Sequence, residues 1–138
     1  MKIRADVRNS SGNHEVSLAT NGVRQEISIA PKQSGFGSSV NGGELLFLAL
    51  ATCYCNDIYR EAAKRGITVE RVEVSVEGEF GVEGAPAKNI TYHAKVFARA
   101  PEEEIRSLMR ETDRVAEIQN TLRTPTLVNL SQIEAVSV

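Results

Sequence analysis

The chain has 138 residues and a formal net charge of −2, with 16 Lys and Arg against 18 Asp and Glu, so it is long enough to bury about two thirds of its unfolded surface without a staple. Its charges are dispersed, forming neither the basic stripe that nucleic acid recognition uses nor an acidic tail, so no nucleic-acid partner is expected. The longest apolar run, Leu45 to Ala51, falls far short of the roughly 20 residues that cross a bilayer, and the opening Met1-Lys2-Ile3-Arg4-Ala5-Asp6 lacks the apolar stretch of a secretory signal, which predicts no membrane partner and a cytoplasmic protein with reduced thiols.

Three alternating stretches come first: Ile3-Ala5-Val7, then Val16 and Leu18, then Val23 with Ile27 and Ile29. Asn21-Gly22 joins the last two, and both residues tolerate the positive φ of a tight hairpin turn, so an N-terminal antiparallel meander is predicted. Pro31 to Gly43 is rich in Gly, Ser and Asn and reads as a loop. Its glycines and serines could cradle an anion, but no Gly-Lys-Ser/Thr follows, so it is not a P-loop. Asn41 with Glu44 three residues on has the form of a capping box, and a helix should run from about Gly43 to Arg65 and stop at Gly66.

The first half of that helix, Leu45-Leu46-Phe47-Leu48-Ala49-Leu50-Ala51, is apolar on every face and must be buried all round. A chain this short cannot enclose it alone, which predicts an obligate homodimer. The second half, with Arg60, Glu61, Lys64 and Arg65 between Ile58, Ala62 and Ala63, reads as amphipathic and nearer solvent. Alternation returns at Val72, Val74 and Val76, then at Ile90, Tyr92, Ala94, Val96 and Ala98, a second hairpin across the Gly81 to Lys88 turn region. Pro101-Glu102-Glu103-Glu104 announces a helix through about Asp113. A shorter helical piece, Val115 to Leu122, precedes Pro125, and Ile133 to Val138 reads as a closing strand. With no repeat or linker, residues 1–138 read as one α/β (α+β) domain with two antiparallel sheet regions around a long buried helix.

Cys53 and Cys55 are the chemically suggestive residues. At i and i+2 on a helix they point about 200° apart, so they cannot form a disulfide or share one metal ion. His14 and His93 lie on separate strands with no ligand spacing, so no metal site and no cofactor are expected. A thiol here acts alone or not at all, and Cys53 lies too far into the helix for the dipole to activate it unaided. Both cysteines also fit as small buried hydrophobes. Glu44 is explained as a cap, and Arg4, Arg8 and Arg24 as strand-face charges.

The stretch Asn41-Gly42-Gly43-Glu44-Leu45-Leu46-Phe47-Leu48-Ala49-Leu50-Ala51-Thr52-Cys53, running without a gap to Gly66, resembles the Asn-Pro-Glu-Glu-Leu…Ala-Cys central helix of the OsmC/Ohr family, the osmotically inducible and organic hydroperoxide resistance proteins. The order of elements on both sides agrees as well. The resemblance implies an intertwined homodimer with two long helices wrapped by both chains' sheets. It also implies a reactive thiol at Cys53, with Cys55 outside that role. This chain departs from the family pattern in three places. Gly42-Gly43 stands where the family has Pro-Glu, Ala116 where the resolving cysteine of Cys-Pro-x-Ser-x-x-Leu falls, and no arginine of the first hairpin clearly matches the activating one. The dithiol cycle is thus not expected. Two readings lead, a stress-related relative that keeps the dimer and an interfacial pocket for a small apolar ligand, or a one-cysteine reductase of organic hydroperoxides that uses Cys53 with an external thiol, and a purely structural interaction module is a third.

Overall fold

The computed structural model describes residues 1–138. They form, in order, β1 (Ile3–Ser10), β2 (Asn13–Thr20), β3 (Val23–Glu26), α1 (Gly42–Lys64), β4 (Thr68–Glu79), β5 (Lys88–Arg99), α2 (Glu102–Val115) and α3 (Glu117–Arg123). This is the mixed α+β content the periodicities predict, with one antiparallel sheet ordered β1-β2-β3 and a second formed by β4 and β5. By its contacts the chain divides into two compact units, Met1–Leu46 and Phe47–Val138.

In the first unit, Asn21 and Gly22 turn the β2–β3 hairpin with φ of 50° and 81°, the conformation for which Asn-Gly is suited. Pairing of Ala5 with Leu18 and Val7 with Val16 gathers the apolar residues on one face, whereas Arg4 with Ala19, Asp6 with Ser17 and Arg8 with Glu15 share the other. No residue of this unit is fully buried. The third strand ends at Glu26, short of the expected Ile27 and Ile29. The capping box forms as the spacing predicts: the Glu44 N–H donates to Asn41 Oδ1 at 2.8 Å and the Asn41 N–H to Glu44 Oε2 at 3.4 Å.

The second unit holds the core. Tyr54, Ile58 and Ala62 fall four residues apart on α1 and pack with Leu108 of α2, against a layer that includes Val72 and Val74 of β4 and Tyr92, Ala94 and Val96 of β5. The Tyr54 hydroxyl donates to the Met109 carbonyl at 2.9 Å, and the Tyr92 hydroxyl to Asp113, so the buried Tyr54 and the partly buried Tyr92 both find polar partners. Phe47 stacks on Phe80 with centroids 5.9 Å apart, and its ring lies so close to Gly78 that a β-carbon there would approach it to 2.7 Å. Gly66, at φ +66°, ends α1 as predicted.

Two expectations are corrected. The second half of α1 is not the half nearer solvent: it supplies Tyr54, Ile58 and Ala62 to the core, and its Asp57 and Glu61 are buried with them. Its charges mislead because Arg60 and Lys64 cover those acids in ion pairs. In the apolar first half, Leu50 is buried, but Leu45, Leu46 and Phe47 are only partly covered and Leu48 is 59 % exposed. Ile133 to Val138 forms no strand. β propensity alone does not make a strand without a neighbour to receive its backbone hydrogen bonds, and these residues are exposed.

Candidate functional site

Cys53 and Asp57 stand one helical turn apart on α1, which places both side chains on one face. The Cys53 Sγ lies 3.5 Å from Asp57 Oδ2 and 4.0 Å from Glu117 Oε2. Glu117 opens α3, a helix set apart from α2 by the extended backbone of the buried Ala116. The Ile118 N–H, also at the start of α3, lies near the same sulfur and favours its ionised form. Arg60 ties the group together. Its Nη1 is 2.8 Å from Asp57 Oδ1 and 3.3 Å from Glu117 Oε1, and its Nε is 2.9 Å from Glu61 Oε1, which Lys64 Nζ also meets at 2.8 Å.

These surroundings set the electrostatics of the thiol. Burial pushes the Cys53 thiol above its ordinary value, the Ile118 N–H opposes that rise, and the Asp57 and Glu117 carboxylates add to it. Asp57 is itself pushed up, first by burial and then by the facing Glu117, with Arg60 pulling the other way. Glu117 is held below the usual carboxylate range, chiefly by its own backbone N–H and then by Asp57 and Arg60. A thiolate is stabilised by a nearby cation or a base able to take its proton. Here Arg60, the cation of this group, bonds three carboxylates.

Cys55 faces elsewhere, half-buried in a small groove of about 240 Å³ with Ala51, Thr52, Asn56 and Val74. Both cysteines are free. The remaining candidates do not join Cys53. His14 is half-buried on β2, with its Nδ1 3.0 Å from Asn9 Nδ2, His93 is exposed on β5 opposite Ser75, and Glu44 serves the cap. Arg4 pairs with Asp6 at 2.7 Å, and with Arg8, Arg24, Glu15 and Glu26 they line a polar concavity on the first sheet. Sequence reasoning missed Asp57, Arg60 and Glu117. The i,i+4 and i,i+3 spacings of Cys53, Asp57 and Arg60 were the available signal, whereas Glu117 is 64 residues from Cys53 and arrives only through tertiary packing.

A long helix that carries a half-buried thiol, set against a two-stranded antiparallel sheet and two shorter helices, defines an α+β protein. No helix is long and apolar enough to cross a membrane. Residues 35–131 match the family model described as OsmC-like protein, and the chain belongs to that family. Among solved structures, the OsmC like protein from Mycoplasma pneumoniae superposes with a TM-score of 0.59 at 18 % identity, covering 87 % of each chain. An organic hydroperoxide resistance protein OsmC from Legionella pneumophila, described as a predicted redox protein, gives a TM-score of 0.55 at 18 % identity, over 86 % of this chain and 89 % of the other. Likeness at that identity establishes the shared fold. A comparison with curated proteins finds no match.

Proposed function

We propose that this chain works in the cytoplasm as a homodimeric, non-peroxidatic member of the OsmC-like family, one domain per subunit, holding a small apolar molecule in a pocket that two subunits form together. One observation carries the reading: Cys53 Sγ faces two carboxylate oxygens, at 3.5 and 4.0 Å, and the guanidinium beside them is engaged by those same carboxylates. A peroxidatic cysteine needs the reverse arrangement, a cation that favours its thiolate. The dimer is supported by apolar surface that one chain leaves open, with Leu48 at 59 %, Val7 at 61 % and Val23 at 70 % exposure, since exposed apolar surface of this kind marks interaction sites.

The test treats the reduced protein with one equivalent of an organic hydroperoxide and traps sulfenic acid with dimedone. Cys53 should remain a thiol, the dilute protein should sediment as a dimer, Leu48→Glu should sediment as a monomer, and an apolar dye should bind only the dimer. The one-cysteine reductase is the second reading, favoured by the Ile118 N–H near the sulfur. Stoichiometric dimedone labelling of Cys53, abolished when an external thiol is added after the hydroperoxide and before the dimedone, would establish it in place of the first.

A further inference from the structure

We propose that Cys53, Asp57 and Glu117 form a binding site for one borderline divalent cation such as Zn²⁺, with Arg60 as the residue that positions the two carboxylates. The inference goes beyond the proposed function and holds whether or not the dimer binds an apolar molecule. A metal site built from thiols and histidines is excluded by the separation of those residues. The structure instead brings together one thiol and two carboxylates from α1 and α3, with a donor atom from each lying within 4.8 Å of the other two.

The first argument is geometric. A tetrahedral Zn²⁺ binds sulfur at about 2.3 Å and carboxylate oxygen at about 2.0 Å, so two such donors stand about 3.5 Å apart around it. Cys53 Sγ and Asp57 Oδ2 are already 3.5 Å apart, Glu117 Oε2 stands 4.0 Å from the sulfur, about half an ångström beyond that tetrahedral spacing, and the three donor atoms lie within 4.8 Å of one another, so the exposed Glu117 side chain moves in on binding. Cys53 and Asp57 hold their places through helical i,i+4 spacing, so the α1 half of the site is preformed. Three protein donors leave a fourth position for solvent or a ligand.

The second argument is the division of oxygens. Arg60 takes Asp57 Oδ1 and Glu117 Oε1, whereas Oδ2 and Oε2, the other oxygen of each, are turned to the sulfur. An outer residue that fixes ligating carboxylates in this way is a usual part of metal sites. The Asp57 side chain is only 7 % exposed, and beyond the facing carboxylate its inner oxygen meets only the Cys53 S–H, a weak donor. Charge agrees. With Cys53 ionised, one thiolate and two carboxylates against one guanidinium leave two negative charges, and the neighbouring Glu61 and Lys64 cancel each other. A divalent cation neutralises the group. On binding, the Cys53 S–H bond is replaced by a sulfur–metal bond, the proton passes to solvent, and no redox change occurs.

The experiment titrates the reduced, metal-free full-length protein with Co²⁺, whose thiolate ligation gives a near-ultraviolet charge-transfer band and whose tetrahedral ligation gives intense visible bands. One Co²⁺ per chain should produce both, and Zn²⁺ should abolish them. Cys53→Ser should lose the charge-transfer band, Cys55→Ser should retain it, and Arg60→Gln should weaken binding by about 10- to 100-fold as an outer-shell change does. Glu117→Gln alters a largely exposed residue, so its loss of the bands with unchanged circular dichroism separates ligation from folding. Absence of the bands in the wild-type protein, their survival in Cys53→Ser or Glu117→Gln, or their loss in Cys55→Ser overturns the site. The bands do not depend on peroxide reactivity or subunit number, so this outcome is separate from that of the proposed function.

Discussion

The two compact units contrast in how they hold their structure. Phe47–Val138 has a core in which Ile58 and Leu108 are wholly buried, with partly buried side chains of β4 and β5 packed against it. Met1–Leu46 has a regular three-stranded sheet and buries nothing completely. Its apolar face, which includes Val7 and Val23, lies largely open. A good hydrogen-bond ladder and a good hairpin turn thus build a sheet without building a core, because burial needs a second layer.

Ile58→Ala should sharpen this contrast most, costing about 2 to 5 kcal/mol in denaturant unfolding, as truncations in closed cores do. Gly78→Ala comes next. The added methyl meets the Phe47 ring at 2.7 Å and Ile90 at 3.1 Å, and overpacking of this kind costs about 1 to 3 kcal/mol by the same measurement. Val7→Ser, at a 61 % exposed position of the first sheet, should change the stability of a single chain by no more than about 0.5 kcal/mol. A larger loss that grows with protein concentration is the signature of a covering subunit, and an equal loss at all concentrations breaks the contrast.

The smallest effect is on acid stability. Burial pushes the Asp113 carboxyl up, but the Tyr92 hydroxyl and the Arg123 guanidinium together bring it below its usual value. A group depressed in the folded state stabilises above its unfolded pKa, about 3.9 for Asp, and that contribution disappears as pH falls through the folded value. The urea midpoint should therefore drop slightly as pH falls below about 4, and Asp113→Asn should flatten that part of the profile. An unchanged slope in the variant removes Asp113 as the cause.

Local chemistry made much of this legible before any coordinates. Asn21-Gly22, the Asn41 and Glu44 pair, Gly66 and the alternation from Val72 to Val76 and from Ile90 to Ala98 each fix a backbone feature within a few residues, and each appears where expected. The Asn41 to Cys53 stretch carried the family as well. The same local reasoning failed at Ile133 to Val138, where pattern and propensity favoured a strand without specifying its neighbour.

The sequence by itself determined most of the elements, the Asn21-Gly22 turn, the α1 cap and the family, because these depend on residues a turn or two apart. Only the tertiary structure decided which half of α1 enters the core and what surrounds the Cys53 sulfur. Burial and charge at a site are set by residues distant in the chain: Glu117 reaches Cys53 across 64 positions, and no spacing rule spans that gap. Cys53, the thiol that the sequence singled out, thus lies beside two carboxylates, and its electrostatics follow from those neighbours.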